Sequence, residues 1–217
     1  PNTKAGPSMP NILPSLIQAV SNTINDHADE VAELDRAIGD GDHVINLQRG
    51  IAALQAIETE LGELEWTPAL MKTGMTLMST MGGASGSLFG TLFLSMSKAA
   101  KDKSLNTATW TDIFHQGVES VKQRGKADLG EKTMLDTLIP VANRLREDST
   151  NGTEFNQLLK NASEQAIIGM ASTKELIATK GRASFLGERA IGHIDAGART
   201  SQLIICTICD VLAQQNN

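Results

Sequence analysis

The sequence predicts an all-α fold, an eight-helix antiparallel bundle or barrel with a composite site at one end. Three observations predict it. Apolar residues recur at helical spacing in one segment after another. Aromatics make up only 3% of the chain, tyrosine is absent, and no run shows the strand-like alternation of β-branched and aromatic residues. The segments between the stripes carry glycine with small or charged residues, the punctuation that ends helices.

Residues 1–14 include Pro1, Pro7, Pro10 and Pro14 without periodicity, so they read as a flexible leader, linker or expression scar, with one domain over 15–217. The first stripe runs through Leu16, Ile17, Val20 and Ile24, and the second through Leu47, Ile51, Leu54 and Ile57. A third, Leu70, Met71, Met75 and Met78, belongs to a methionine-rich stretch ending at Met81 that reads as filler for irregular core gaps. Leu88, Leu92, Phe93 and Met96 mark the fourth, and Ile113, Phe114, Val118 and Val121 the fifth. The sixth holds Leu135, Leu138, Ile139, Val141 and Leu145, the seventh extends from about Phe155 to Leu176, and the last spans Arg199 to Leu212. Cys206 and Cys209 lie inside this last apolar run rather than at a helix start, which makes them packing residues and not a redox pair.

Glycine-rich segments follow the first, third and seventh of these helices, at residues 38–46, 81–90 and 180–197, and a fourth, 124–133, follows the fifth. In an antiparallel array all four connections emerge at the same end, so a composite site is expected there.

A chain of 217 residues with 41% apolar content can bury one sizeable core. The net charge of -6, without clustered Lys and Arg, argues against a nucleic-acid partner. Apolar stretches are broken by charges or glycines short of a bilayer span, and two cysteines exclude a disulfide scaffold, so a cytoplasmic protein is expected.

Leu34 to Gly50 places Asp35, Asp40 and Asp42 around two glycines. Hard divalent cations take oxygen ligands, and magnesium commonly joins a few carboxylates to the phosphates of a substrate. The same spacing also describes an acidic surface turn capping the following helix. The run Met-Gly-Gly-Ala-Ser-Gly-Ser from Met81 opens a helix with small residues whose free N–H groups suit an anion, although it matches neither the Walker A nor the dinucleotide pattern. Residues 180–198 form a long loop in which Arg182 can neutralise a phosphate and Asp195 can bind a polar edge.

Four separated blocks carry a resemblance: Leu-Asp-Arg-Ala-Ile-Gly-Asp-Gly-Asp-His from Leu34, Gly-Gly-Ala-Ser-Gly from Gly82, Arg-Gly-Lys-Ala-Asp-Leu-Gly-Glu-Lys-Thr-Met from Arg124, and Gly-Arg-Ala-Ser-Phe-Leu-Gly-Glu-Arg from Gly181. From about Leu16 to Leu212 the chain resembles the L subunit of dihydroxyacetone kinase, the nucleotide-binding half of that enzyme. The resemblance implies an eight-helix barrel with nucleotide at one end. It implies that Asp35, Asp40 and Asp42 hold two Mg2+ ions bridging the phosphates of ADP or ATP. His43, Val44, Ile45 and Asn46 would start the next helix beside them, Ala84 and Ser85 would touch the nucleotide, and Gly125 and Met134 would line the adenine pocket. Arg182 with Asp195, Ala196 and Gly197 would close it. Three positions depart from the family pattern: Val44 stands where glycine is usual, and Ser87 and Ala196 replace prolines.

The implied activity is phosphoryl transfer from a metal-bound nucleotide to dihydroxyacetone or a similar short ketose held on a partner K subunit. No catalytic group is expected on this chain beyond the metal–nucleotide centre, whose contribution is electrostatic. The block Leu-Gly-Glu-Arg-Ala-Ile-Gly-His from Leu186 looks like the free-standing type, in which a phosphotransferase-system phosphocarrier, the M subunit, rephosphorylates the bound nucleotide. An excised domain of a fused ketose kinase and an ADP-binding coregulator of a transcription regulator are the alternative readings.

Overall fold

The computed structural model describes residues 10–217. Among them there are ten α-helices and no strand: α1 (Leu13–Asp26), α2 (Ala28–Ile38), α3 (His43–Ala56), α4 (Glu58–Glu63), α5 (Trp66–Thr80), α6 (Gly83–Ala100), α7 (Thr107–Gly125), α8 (Leu135–Thr150), α9 (Phe155–Ser172) and α10 (Ala196–Asn216). Eight close into a ring, in which α1 packs on α3, α3 on α5, each helix from α5 onward on the next, and α10 back on α1. Thr23 bonds Thr207 and Glu30 bonds Arg199, so α1–α2 and α10 run antiparallel.

The two remaining helices, which periodicity does not separate, continue α1 and α3 past bends at His27 and Ile57. At the first bend the imidazole Nδ1 of His27 lies 2.8 Å from the Thr23 carbonyl. On α2 Val31 and Ile38 are buried and Leu34 packs on the core, with Asp29, Glu30, Glu33 and Arg36 on the remaining surface.

The leader expected over 1–14 lies outside the described residues up to position 9. Its last five residues are structured: Pro10–Ile12 form a 3-10 turn, Leu13 and Pro14 already belong to α1, and Pro10 and Ile12 are buried. Proline suits the first turn of a helix, where its missing N–H has no partner to lose.

The core fills with Ile24, Val31, Leu61, Ile113, Val121 and Leu135, all nearly inaccessible. Two glycines let helix backbones approach closely: a Cβ on Gly74 of α5 would meet the Gly90 carbonyl of α6 at 2.9 Å, and one on Gly169 of α9 would run into the Asp136 carbonyl of α8. Inside the ring an apolar cavity of about 350 Å³ is lined by residues including Leu16, Leu47, Trp66, Trp110, Phe114 and Ile205.

Three of the methionines expected as core filler are on the outside: Met71, Met75 and Met78 are exposed, and of that group only Met81 is buried. On α5 the inward face is Trp66, Ala69, Leu70, Thr73 and Leu77, so the methionines occupy the adjacent, outer stripe. Cys209 is buried in the middle of α10, and burial pushes its thiol up to about 11. By length and composition α10 could cross a bilayer; here it is part of the barrel wall, with Arg199 bonded by Glu30.

Candidate functional site

The four glycine-rich connections meet at one end of the barrel, as parity requires. Gly82 packs on Asn46, Arg124 Nε donates to Ser87 Oγ at 2.9 Å, and Arg182 Nε lies 2.8 Å from Asp40 Oδ2. Gly197 faces Met134, whose Cβ would sit 3.6 Å from an added Cβ.

The acidic turn is built by α2 ending and α3 beginning. The α2 C-terminus carries Asp35, Gly41 takes the left-handed conformation at φ +80°, and Asp42 precedes the first residue of α3. One carboxylate oxygen each from Asp35, Asp40 and Asp42 can be chosen so that all three lie within 4.8 Å of one another. The His43 backbone N–H donates to Asp35 Oδ2 at 3.0 Å, which aims that carboxylate across the turn.

A hydrogen bond between Asp40 and Asp42 holds the Asp40 carboxyl below the ordinary range, helped by the Arg182 guanidinium, and raises Asp42, to which the Asp40 and Asp35 charges add. Three carboxylates this close repel one another, and a hard divalent cation relieves that repulsion while taking their oxygens as ligands. An open cavity of about 400 Å³ lies beside the cluster, between Arg36 to Ile38 of α2 with the following Gly39 and Arg182, Phe185 and Leu186 of the 3-10 segment Arg182–Ala190.

His43 turns inward from this cluster. It is buried, its Nε2 is 2.8 Å from Thr200 Oγ1 and its Nδ1 is 3.1 Å from Ser85 Oγ. The Thr200 hydroxyl donates to the Gly197 carbonyl at 3.2 Å, so it accepts from Nε2–H, and Ser85 donates to Nδ1. Burial lowers the imidazole pKa, against the pull of Asp35, in keeping with this neutral tautomer. One ring thereby joins the starts of α3, α6 and α10.

The other sequence-expected residues have unequal positions. Asn46 is buried and touches both Gly82 and Arg49, while Ile45 is exposed on the rim. Val44, buried at 3% exposure, belongs to the apolar core, so the side chain that departs from the family pattern points away from the acidic turn. Ala84 is exposed at the start of α6, and Gly83 before it has φ +72°. Gly125 ends α7, Met134 is buried ahead of α8, and Ala196 is buried in the first turn of α10. Ser87, another departure, accepts the Arg124 bond. The Asp195 carboxylate caps α10 by accepting from Ala198 N at 2.8 Å, and desolvation raises its pKa to about 6.

Sequence reasoning missed Thr200, Asp136 and Lys132. Asp136 accepts from Gly130 N and Thr133 N, and so shapes the 126–134 connection. Lys132 is buried, and its ammonium donates to the carbonyls of Thr173 and His193. Asp136 sits just past the connection it shapes, whereas the partners of Lys132 are 41 and 61 residues away and leave no local signal.

Residues 37–210 match the model of a family described as the DAK2 domain. A Listeria innocua protein named PEP-dependent dihydroxyacetone kinase 1, ADP-binding subunit, is 44% identical over 80% of this chain and 82% of its own length. A Lactococcus lactis protein named PTS-dependent dihydroxyacetone kinase, ADP-binding subunit, is 40% identical over 84% of this chain and 88% of its own. Among solved structures, the dihydroxyacetone kinase from C. freundii in complex with AMP-PNP and Mg2+ shares the fold with a TM-score of 0.72 at 21% identity. That alignment covers 99% of this chain, which spans 35% of the larger protein.

Proposed function

This chain belongs to the DAK2 domain family, and from that premise we propose that it is the nucleotide-binding subunit of a dihydroxyacetone kinase, working in the cytoplasm. In this reading it holds ADP or ATP at the barrel rim and presents the terminal phosphoryl group to dihydroxyacetone, or a similar short ketose, bound on a partner K subunit. The observation that carries the reading is the convergence of Asp35, Asp40 and Asp42 beside the glycine-opened start of α6 and under Arg182.

Asp35, Asp40 and Asp42 would hold two Mg2+ ions, which when bound supply positive charge to the phosphate oxygens of the nucleotide. The chain's own residues do the rest by position. His43 to Asn46 form the first turn of α3; the His43 N–H is taken by Asp35 and the Asn46 N–H by the Asp42 carbonyl, so the N–H groups of Val44 and Ile45 are the ones that would favour an anion. Ala84 and Ser85 offer the same at α6, and Gly83 lets the backbone approach closely. Gly125 and Met134 would flank the adenine, with Ala196 and Gly197 at the start of α10 closing the pocket behind it. Arg182 would shift from Asp40 toward the phosphate and cover it from water.

The exposed apolar residues Ile45, Phe185 and Ile191 lie on the rim segments and would meet the partner subunit. The relatives that match along most of their length carry PTS- or PEP-dependent names, which favours rephosphorylation of a retained nucleotide by a phosphocarrier M subunit over exchange with ATP.

Calorimetric titration of ADP with and without Mg2+ tests the site. The wild-type chain is expected to bind ADP in a Mg2+-dependent way, and an Asp40→Ala, Asp42→Ala double variant to lose it while staying folded. Unchanged binding in that variant would overturn the assignment. Incubation with K subunit, ketose and ATP separates the donors, because multiple turnovers without phosphocarrier would assign the chain to the ATP-exchanging kind.

A further inference from the structure

Between the end of α9 and the start of α10 the chain makes one long excursion, residues 173–195, that leaves the barrel, passes over the acidic turn and returns. Its two ends lie together. Gly192 N donates to the Lys174 carbonyl at 2.7 Å, and Asp195 N to Thr173 Oγ1 at 3.0 Å.

At this neck sits the ammonium of Lys132, reaching in from the connection that precedes α8. It donates to the carbonyl of Thr173, where the excursion leaves, and to that of His193, where it returns. Only 2% of Lys132 is exposed, and its backbone takes a left-handed φ of +63°. An ammonium withdrawn from water in a strained backbone is unfavourable unless fixed acceptors and opposite charge compensate it. Both are present: the two carbonyls accept from it, and the negative charges of Asp195, Glu175 and Asp136 favour its charged form.

The residue before it holds the excursion further out. Glu131 accepts from Thr179 Oγ1 at 2.7 Å, and its carboxylate lies 3.9 Å from Lys180 Nζ. Two residues on from these contacts is Arg182, against Asp40. Met134, two residues after Lys132, faces Gly197. The short stretch 131–134 therefore touches the neck of the excursion, its middle, and the start of α10.

We propose that Lys132 is a positioning residue: by binding the two ends of the 173–195 excursion to the 131–134 stretch, it sets Arg182 over the acidic turn and slows the escape of a nucleotide seated against Met134. This rests on the nucleotide-site reading above. It adds that the retention of nucleotide depends on a group that does not touch it.

The test uses the full chain with Lys132→Met and Lys132→Arg, read by hydrogen exchange without ligand and by the dissociation rate of a fluorescent ADP analogue with Mg2+. In Lys132→Met, amides of 176–191 are expected to exchange faster while those of α5 and α6 keep their protection, and ADP to dissociate about tenfold faster. Lys132→Arg, which restores donors and charge, is expected to recover part of both effects. Faster exchange spread evenly over the barrel, or a dissociation rate within about twofold of wild type in a folded variant, would overturn the proposal.

If Lys132→Met does not fold, Glu131→Gln at the surface takes its place, with faster exchange confined to residues 178–183 expected and no local change counting against the proposal. Failure of the wild-type chain to bind ADP at all would strike the site reading instead, and the ligand-free exchange would still decide the clamp.

Discussion

His43 on α3 and Thr200 on α10 meet at 2.8 Å, imidazole Nε2 to hydroxyl Oγ1, with both side chains buried. The contact ties the helix that follows the acidic turn to the helix that follows the long excursion, across 157 residues of sequence. The two halves of the rim are thus joined below the surface as well as at Arg182 and Asp40.

Replacing Thr200 by valine keeps the shape and removes the acceptor. The buried Nε2–H is left without a partner, at a cost of about 2 kcal/mol. Urea denaturation of Thr200→Val should show that loss with an unchanged m-value. Mg2+-dependent ADP affinity should fall as well, because the first turns of α3 and α10 are no longer held together.

Asp195 gives the chain a signed pH dependence. Its folded-state pKa, raised to about 6 by desolvation, lies above the ordinary 3.8, so the folded protein holds this proton more tightly than the unfolded one. The associated stability is present in full below the unfolded value and is lost as pH rises through about 6. Asn is an equally good N-cap and carries no proton to lose. Ligand-free melting from pH 4 to 7 should therefore show Asp195→Asn gaining on wild type as pH rises, and a constant difference would refute the assignment.

Val44 serves packing. Because its side chain is buried in the apolar core, Val44→Gly should cost about 3 kcal/mol through lost burial and added backbone freedom. ADP affinity, measured where both forms are folded, should stay within about twofold of wild type. A clear gain in affinity would show instead that the valine crowds the phosphates.

Phe185 is 85% exposed on the segment that carries Arg182. A large ring so exposed beside the site is suited to an interface with the partner subunit. In Phe185→Ser, ADP binding should be retained while phosphoryl transfer to the ketose on its K subunit drops about tenfold. A coupled assay at saturating nucleotide checks this, and unchanged transfer would remove Phe185 from the interface.

Much of this was legible in advance because helical periodicity is a local property. The eight ring helices each show an apolar stripe, and parity alone brings the four glycine-rich connections to one end. The acidic trio was readable from spacing, since Gly41 between Asp40 and Asp42 permits the left-handed turn that draws the carboxylates together. What stayed hidden depends on partners distant in sequence. The burial of Lys132 is compensated by Thr173 and His193, 41 and 61 residues away, and nothing in its own neighbourhood announces that. The methionines of α5 misled because an apolar stripe does not reveal which of two adjacent faces turns inward, and Leu70, Thr73 and Leu77 took that place. The helix α2 escaped because its apolar stripe, Val31, Leu34 and Ile38, is short and interleaved with Asp, Glu and Arg.

The antiparallel pairing of α1–α2 with α10 has a practical corollary. With Thr23 against Thr207 and Glu30 against Arg199, Leu13 and Asn216 fall at the pole opposite the acidic turn. A tag or tether inserted directly ahead of Leu13 or directly after Asn216 would leave from the floor of the barrel, so immobilising the protein there leaves its mouth free to visitors.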